Sequence, residues 1–296
     1  MNVKPAITLT KHHGLGNDFL VVVDLGEDHV SIGGDLACSL CDRRTGVGAD
    51  GLILGQRRLD GTLRMVLYNA DGSRAEMSGN GIRCLAQALA AVLDEPMLDV
   101  SIETDGGERR VTVIPSPDRD EVRVRVEMGP VGPGPALAPW PGDLAGFATV
   151  ALRSETADVG NPHLVIQVED LDSVDISAVG PVLESSYAGG INVEVIAKSA
   201  DPNGLELVVW ERGAGVTQAC GTGATAATAV AERWGLVRGG AEVTMPGGVL
   251  EVSLGETAAL VGPSVYVASV QVPLASWASA GGGHGAVQSV GGANHG

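Results

Sequence analysis

Two segments 142 residues apart carry the same plan. The first passes from an apolar strand at residues 64–68 through Asn69-Ala70-Asp71-Gly72 and Ser78-Gly79-Asn80-Gly81 into an apolar helix pattern at 82–93. The second passes from an apolar strand at 205–210 through Glu211-Arg212-Gly213 and Gln218-Ala219-Cys220-Gly221-Thr222-Gly223 into an Ala-rich helix pattern at 224–234. Ser78 stands nine positions after Asn69, and Cys220 nine after Glu211. A second pair keeps the register: Gly16-Asn17 and Gly160-Asn161 each precede an apolar strand, at 19–23 and 164–168. Two similar halves, each with one strand-to-helix elbow, predict a duplicated α/β chain with a site between the halves. At each elbow the glycines permit a tight turn and a close backbone approach. The first helical turn leaves N–H groups unpaired at the positive end of the dipole, which suits an anion. The same field is expected to draw Cys220 towards the thiolate. A small residue packed in a strand-to-helix turn is the plainer reading of the same pattern.

At 296 residues the chain has room for two domains, and 44% hydrophobic content supplies a core for each. Gly129 to Gly142 holds five prolines and four glycines and is the best linker candidate. The net charge of −17 argues against nucleic acid and against anionic membranes as partners, while leaving a small zwitterion possible. The sequence lacks an apolar run of the roughly 18 residues a spanning helix needs. It also lacks the basic and apolar opening of a signal peptide. The four cysteines do not form a secreted disulfide framework. A cytoplasmic protein is expected, and the Gly-rich stretch 276–296 reads as a disordered tail.

Other motifs carry less. His12 and His13 read as surface or packing residues, with no third metal ligand nearby. Residues 35–44 read as a helix with Leu36, Ala37, Leu40 and Cys41 on one face. Cys38 and Cys41 make a lone CxxC, read as packing rather than as zinc or redox chemistry. Thr45-Gly46-Val47-Gly48-Ala49-Asp50-Gly51 is a glycine loop between helix and strand. It lacks the Lys-Ser/Thr of a nucleotide loop, so a phosphate-binding reading of the glycines ranks last. Val alternating with charge at 109–114 and 121–127 predicts half-buried strands. Further strands are expected at 149–152, 191–195, 243–245, 249–252, 258–261 and 265–270, and a short helical or turn segment at 180–184.

Seven blocks in order carry a resemblance: His13–Phe19 (HGLGNDF), Thr45–Gly51 (TGVGADG), Asn69–Ser73 (NADGS), Gly79–Cys84 (GNGIRC), Gly160–His163 (GNPH), Glu211–Gly223 (ERGAGVTQACGTG) and Pro246–Gly248 (PGG). Together they resemble the diaminopimelate epimerases, within a cofactor-independent racemase and epimerase family that includes proline racemase-like enzymes. The resemblance implies an α/β (α+β) fold of two pseudo-symmetric halves. Each is a curled, barrel-like sheet around a central helix, with the active site in the cleft between them. The halves are then 1–130, joined by a returning strand at 264–275, and 131–263. A homodimer is usual for such proteins, and no cofactor or metal is implied.

The implied reaction inverts one α-carbon of L,L-diaminopimelate to give the meso form, in lysine and peptidoglycan precursor synthesis. Removing an α-proton beside a carboxylate without a cofactor calls for oriented N–H donors as charge develops. It also needs a base on one face and an acid on the other. By position, the resemblance makes Cys220 one of two catalytic groups. It places Ser78-Gly79-Asn80 and Cys220-Gly221-Thr222 on the reacting carboxylate with Asn17 nearby, and puts Arg212, Asn69, Asn161 and Asn192 at the far end. Glu211 would face an amino group, Arg212 would pair with a carboxylate through parallel bonds, and His163 would lie near the thiol or act as a turn residue.

One position departs from that pattern: the family's first catalytic cysteine is Ser78 here, and Cys84, six residues on, falls inside the helix. A hydroxyl is a much weaker acid than a thiol and needs an activating base. Three readings follow: a natural variant that relays the proton slowly or through water, a site tuned to another amino acid as in relatives with Ser/Cys pairs, or a degenerate or engineered change. The chain is expected to be a working epimerase. The alternative is a relative that binds an amino acid or only exchanges its α-proton.

Overall fold

The computed structural model describes residues 6–26, 32–118 and 120–273. The tail expected to be disordered, 276–296, lies outside them. In chain order the strands of the first half are β1 (Ala6–Gly14), β2 (Asn17–Asp24), β3 (Gly51–Arg57), β4 (Leu63–Asn69), β5 (Arg74–Ala75), β6 (Asp99–Thr104) and β7 (Gly107–Pro115). Helix α1 (Gly34–Cys41) precedes β3, and α2 (Gly79–Leu93) lies between β5 and β6. There follow β8 (Glu121–Gly129), β9 (Gly132–Pro133), α3 (Ala145–Ala148), β10 (Arg153–Asp158), β11 (Pro162–Gln167), α4 (Ile176–Ser185), β12 (Asn192–Lys198), β13 (Gly204–Glu211), β14 (Gly215–Thr217), α5 (Gly221–Arg233), β15 (Gly240–Met245), β16 (Gly248–Ser253) and β17 (Ala258–Pro273). The chain divides into two units. One comprises the residues up to Gly14, Asp18–Val122 and those from Ser264 on, and the other comprises Leu15–Asn17 and Arg123–Pro263.

Within the first unit, β2 runs parallel to β3, β3 antiparallel to β4, β4 parallel to β6, and β6 antiparallel to β7. Within the second, β11 runs parallel to β12, β12 antiparallel to β13, β13 parallel to β15, and β15 antiparallel to β16. The same alternation appears twice, with the main helix inserted at the same point of each series. Helix α2 packs against β1, β3, β4 and β7, and α5 against β10, β11, β12, β13, β15 and β16. Each unit is therefore a sheet curled around one helix. Both helices are buried over most of their length, α2 from Gly79 to Ala90 and α5 from Gly221 to Ala231. Such burial requires an apolar surface all round. In α5 it comes from alanines, and Thr225 and Thr228 turn their hydroxyls back onto Gly221 O and Ala224 O at 2.8 Å.

Three local expectations change. Residues 149–152 are not a strand: Thr149, Val150 and Ala151 fold their N–H groups back onto Gly146 O and Phe147 O as a turn after α3, and pairing begins at Arg153. The segments 258–261 and 265–270 form one strand, β17. Its first residues pair with β16 in the second unit, and the stretch from Val265 to Pro273 pairs with β1 in the first. Pairing on both sides of Gly262-Pro263 keeps the chain extended where the local sequence signals a break. Helix α1 stops at Cys41, because the Asp42 carboxylate takes hydrogen bonds from the N–H groups of Arg44 and Thr45 and starts a turn.

Part of the motif block at residues 13–19 is structural in role. Asp18 is nearly buried and accepts from Arg43 at 2.6 and 3.1 Å and from the Asp50 N–H at 3.1 Å, with Lys11 at 2.8 Å. Burial alone would push its carboxyl up. The bonds to Arg43 and Lys11 outweigh that and hold it at about 2 instead of 3.8. A depressed folded-state value contributes stability that is present above the unfolded value and lost as pH falls towards the folded one. Asp18→Asn is therefore expected to lower Tm by about 5 °C at neutral pH, on the order of 2 kcal/mol. It should also flatten the fall in Tm between pH 4 and 2, which calorimetry at several pH values reads directly.

Of the lesser motifs, His12 and Cys41 resolve as packing, and Cys38 does not. His12 is buried, with Nδ1 against Gln87 Oε1 and Nε2 against Thr10 Oγ1, both at 2.8 Å. Burial pulls its pKa down to about 4, so it is neutral at physiological pH. Cys38 is exposed and Cys41 buried, both as free thiols, and burial pushes Cys41 to about 12.

Candidate active site

The elbow of the first unit is a helix start held from below. Ser78 caps α2 from an extended backbone (φ −135°, ψ 124°), and its Oγ accepts from the Gly81 N–H at 3.0 Å. This is what serine does best at a helix N-cap. Arg83, fully buried one turn in, donates to Gly79 O at 3.0 Å and Asn80 Oδ1 at 2.8 Å. The Asn80 side chain is thereby turned into the protein, leaving backbone as what the elbow presents. A Cβ added at Gly81 would meet Ile53 Cδ1 at 3.1 Å and Met65 Cε at 3.3 Å, so the floor of this elbow is apolar. Cys84 is fully buried and pushed by burial to about 12, as its place inside the helix predicts. Asn69 is exposed and donates to Ser73 Oγ at 3.0 Å, in a turn that needs Gly72 at φ +82°.

The elbow of the second unit repeats the backbone with different chemistry. Cys220 caps α5 at φ −129°, ψ 117°, and its Sγ accepts from the Gly223 N–H at 3.3 Å. The Thr222 hydroxyl lies 3.4 Å from the same sulfur. Cys220 is 4% exposed. The expectation that the helix end draws it towards the thiolate is overturned. Burial and the charges of Glu211 and Glu194 push the thiol well above its usual range, against the Thr222 and Gly223 bonds that favour the anion. The first turn of a helix is weaker than burial combined with two carboxylates. Cys220 is a thiol at rest. Burial also pushes the Glu211 carboxyl up, opposed by its bonds from the Thr217 hydroxyl and the Cys220 thiol.

Around Cys220 the second unit gathers most of the predicted residues into one network. His163, fully buried on β11, places Nδ1 2.7 Å from Glu194 Oε1 and Nε2 3.0 Å from Asn161 Oδ1. Asn192, also buried, donates to Pro162 O at 2.9 Å and accepts from the Arg212 N–H at 3.0 Å. It thus ties the Gly160–His163 turn to the Glu211–Gly213 turn, and its amide serves the protein first. Arg212 is exposed, with one guanidinium nitrogen 3.4 Å from Gly189 O. Asn17 starts β2 after a turn with Leu15 at φ 56° and Gly16 at φ 84°.

Two functional candidates escape sequence reasoning. Glu184 on α4 accepts from Trp210 Nε1 at 2.6 Å and from the Gly213 N–H at 3.2 Å, and so shapes the turn that carries Arg212. Glu194 lies fully buried in the middle of β12. Its signal was a carboxylate inside the apolar run Ile191-Asn192-Val193-Glu194-Val195, where a charge is expensive unless something uses it.

The diaminopimelate epimerase family profile matches residues 9–132 and 156–267, which spans both elbows. This chain belongs to that family. Diaminopimelate epimerases are similar to it over most of their length. The protein of that name from Prochlorococcus marinus (strain MIT 9313) is 39% identical over 263 residues, covering 83% of this chain and 85% of its own. That from Desulforudis audaxviator is 37% identical, covering 81% and 89%, and that from Pseudomonas aeruginosa (strain UCBPP-PA14) is 36% identical, covering 90% and 99%. Among solved structures, a hydroxyproline epimerase from Agrobacterium vitis aligns with TM-score 0.65 at 17% identity, covering 93% of this chain and 94% of that one. A phenazine biosynthesis protein from Bacillus anthracis aligns with TM-score 0.65 at 14% identity, covering 90% and 99%. At such identities the likeness is one of fold. Membership places the chain among isomerases.

Proposed function

We propose that this member of the diaminopimelate epimerase family interconverts L,L- and meso-2,6-diaminopimelate by cofactor-free proton transfer at one α-carbon. Its place is in the supply of lysine and peptidoglycan precursors. The observation that carries the reading is a family match spanning both elbows, in a chain that keeps Cys220, Glu211 and Arg212. In this reading Cys220 exchanges the α-proton, and Ser78 holds the corresponding place on the other elbow. The N–H groups of Gly221 and Thr222 that open α5 meet the charge that develops on the carboxylate, and Gly79 and Asn80 open α2 in the corresponding way. Asn17 stands near that carboxylate, Arg212, Asn69, Asn161 and Asn192 hold the far end of the substrate, and Glu211 faces an ammonium. His163 lies next to Asn161, with Nε2 3.0 Å from Asn161 Oδ1, on the Cys220 side of the site. A cytoplasmic homodimer belongs to the same reading on the strength of the resemblance; sedimentation would read the oligomer. Among the described residues no helix is long and apolar enough to cross a membrane.

Proton NMR in D₂O with L,L- and, separately, meso-diaminopimelate tests this by following α-hydrogen loss and stereochemistry together. Both are expected, and no exchange with either isomer overturns the reading. One observation favours a second outcome. Ser78 is bound as a helix cap, its Oγ taken up by the Gly81 N–H, at an elbow whose floor is the apolar Ile53 and Met65. Exchange without inversion would mark a catalyst that works from the Cys220 face alone.

A further inference from the structure

The duplication supplies its own control for what lies under each elbow. In the first unit the parallel register pairs Phe19 with Gly51, and in the second it pairs His163 with Asn192. His163 thus takes the place of Phe19, and Glu194, two residues beyond Asn192, takes the place of Ile53. The match extends to the helix above: a Cβ at Gly81 would meet Ile53 Cδ1 at 3.1 Å, and one at Gly223 would meet Glu194 Oε1 at 2.7 Å. The same two places hold Phe and Ile under Ser78, and His and Glu under Cys220. The fold therefore does not need a polar pair there.

Glu194 is also costly where it is. It is fully buried, its Oε1 faces His163 Nδ1, and its Oε2 has no hydrogen-bond partner among the described residues. A buried carboxylate with an unsatisfied oxygen calls for a reason other than stability. The helix dipole above offsets part of the cost.

We propose that Glu194 is a positioning residue for the reaction: it holds the His163 ring and through it Asn161, and sets a negative charge behind the Cys220 sulfur. The inference rests on Cys220 being the group that moves the α-proton. The ring, gripped at Nδ1, aims Nε2 at Asn161, so the chain Glu194–His163–Asn161 ends at a residue assigned to the substrate. The groups facing Cys220 are Glu211 on β13, Glu194 on β12, and the Thr222 hydroxyl and Gly223 N–H of α5, with His163 on β11 beyond Glu194. Both carboxylates resist ionisation of the sulfur. A sulfur that gives up its proton reluctantly is, once ionised, the stronger base, which a carbon-bound proton demands.

The test compares the full chain with Glu194→Gln, which keeps the shape and an acceptor for the ring while removing the charge. Cys220 ionisation is followed by thiolate absorbance from neutral to strongly alkaline pH, each protein against its own Cys220→Ser version. In Glu194→Gln the sulfur is expected to ionise about one pH unit lower. The limb of the rate profile that Cys220 sets should move down with it, the plateau kcat above that limb should fall several-fold because the thiolate is then a weaker base, and KM should stay within about twofold. Glu194→Ile, which also releases the ring, should add a several-fold rise in KM. The pair Glu194→Ile with His163→Phe copies the floor under Ser78 and gives the sulfur titration in a chain whose fold already accommodates it. An unchanged Cys220 titration in Glu194→Gln, with or without a change in Tm, overturns the proposal. The titration needs no substrate, so a failure of the epimerase reading shows separately, as absence of α-proton exchange in the unaltered chain.

Discussion

Cys220→Ser is expected to abolish both α-proton exchange and inversion of diaminopimelate, by at least about 10³-fold in kcat, with little change in KM. Serine is the residue that the first unit uses to cap the equivalent helix, with its Oγ 3.0 Å from the Gly81 N–H. The substitution therefore keeps the N-cap of α5 and avoids the stability loss of an alanine there. What it removes is a sulfur that can ionise. General acid–base groups contribute about 10² to 10⁴ in rate, and a hydroxyl without an activating base cannot stand in for a thiolate. The measurement is single-turnover NMR in D₂O beside a circular dichroism melt. Exchange that survives in a well-folded Cys220→Ser chain would remove Cys220 from the reaction.

The second large effect runs the other way. Ser78→Cys is expected to raise the rate of inversion by about 10²-fold or more, and the rate of exchange from the Cys220 side much less. The two caps share nearly the same backbone angles, and a sulfur in that position already accepts from the third N–H of α5 at 3.3 Å, so the first elbow has a template for a thiol. A cysteine there would also sit over Ile53 and Met65 rather than over a carboxylate. It therefore lacks the neighbours that push Cys220 up and should ionise at lower pH than Cys220 does. Two thiols with unequal partners divide naturally into one proton acceptor and one donor. Chiral analysis of the product, alongside exchange, separates the two rates. An inversion rate unchanged by Ser78→Cys would place the second proton transfer elsewhere than at this cap.

These outcomes bear on how the two elbows came to differ while keeping one fold. Elbow backbone is set by glycines and a cap. Elbow chemistry is set by what the sheet places beneath, and that can change in one unit without disturbing the other.

The sequence alone determined the positions where local backbone geometry dictates residue type. Ser78 and Cys220 as equivalent caps, the glycines after them, the equivalence of Asn69 with Glu211, and the buried helices behind the elbows could all be read from spacing and periodicity. Each depends on neighbours within a few residues along the chain. The ordered motif blocks likewise fixed the family. Tertiary structure decided what depends on contacts between distant strands. The run 258–270 looked like two strands because Gly262-Pro263 is a local break signal, yet pairing with β16 and then β1 holds it as one. Cys220 looked like a thiolate because its own helix favours the anion. Burial, together with two carboxylates on β12 and β13 that lie 26 and 9 residues earlier in the chain, reverses the sign. The Glu194–His163 pair under α5 joins residues 31 apart in sequence. A charge inside an apolar strand can be seen in the sequence, but its partner cannot: strand register selects that partner, and register is a property of the folded sheet.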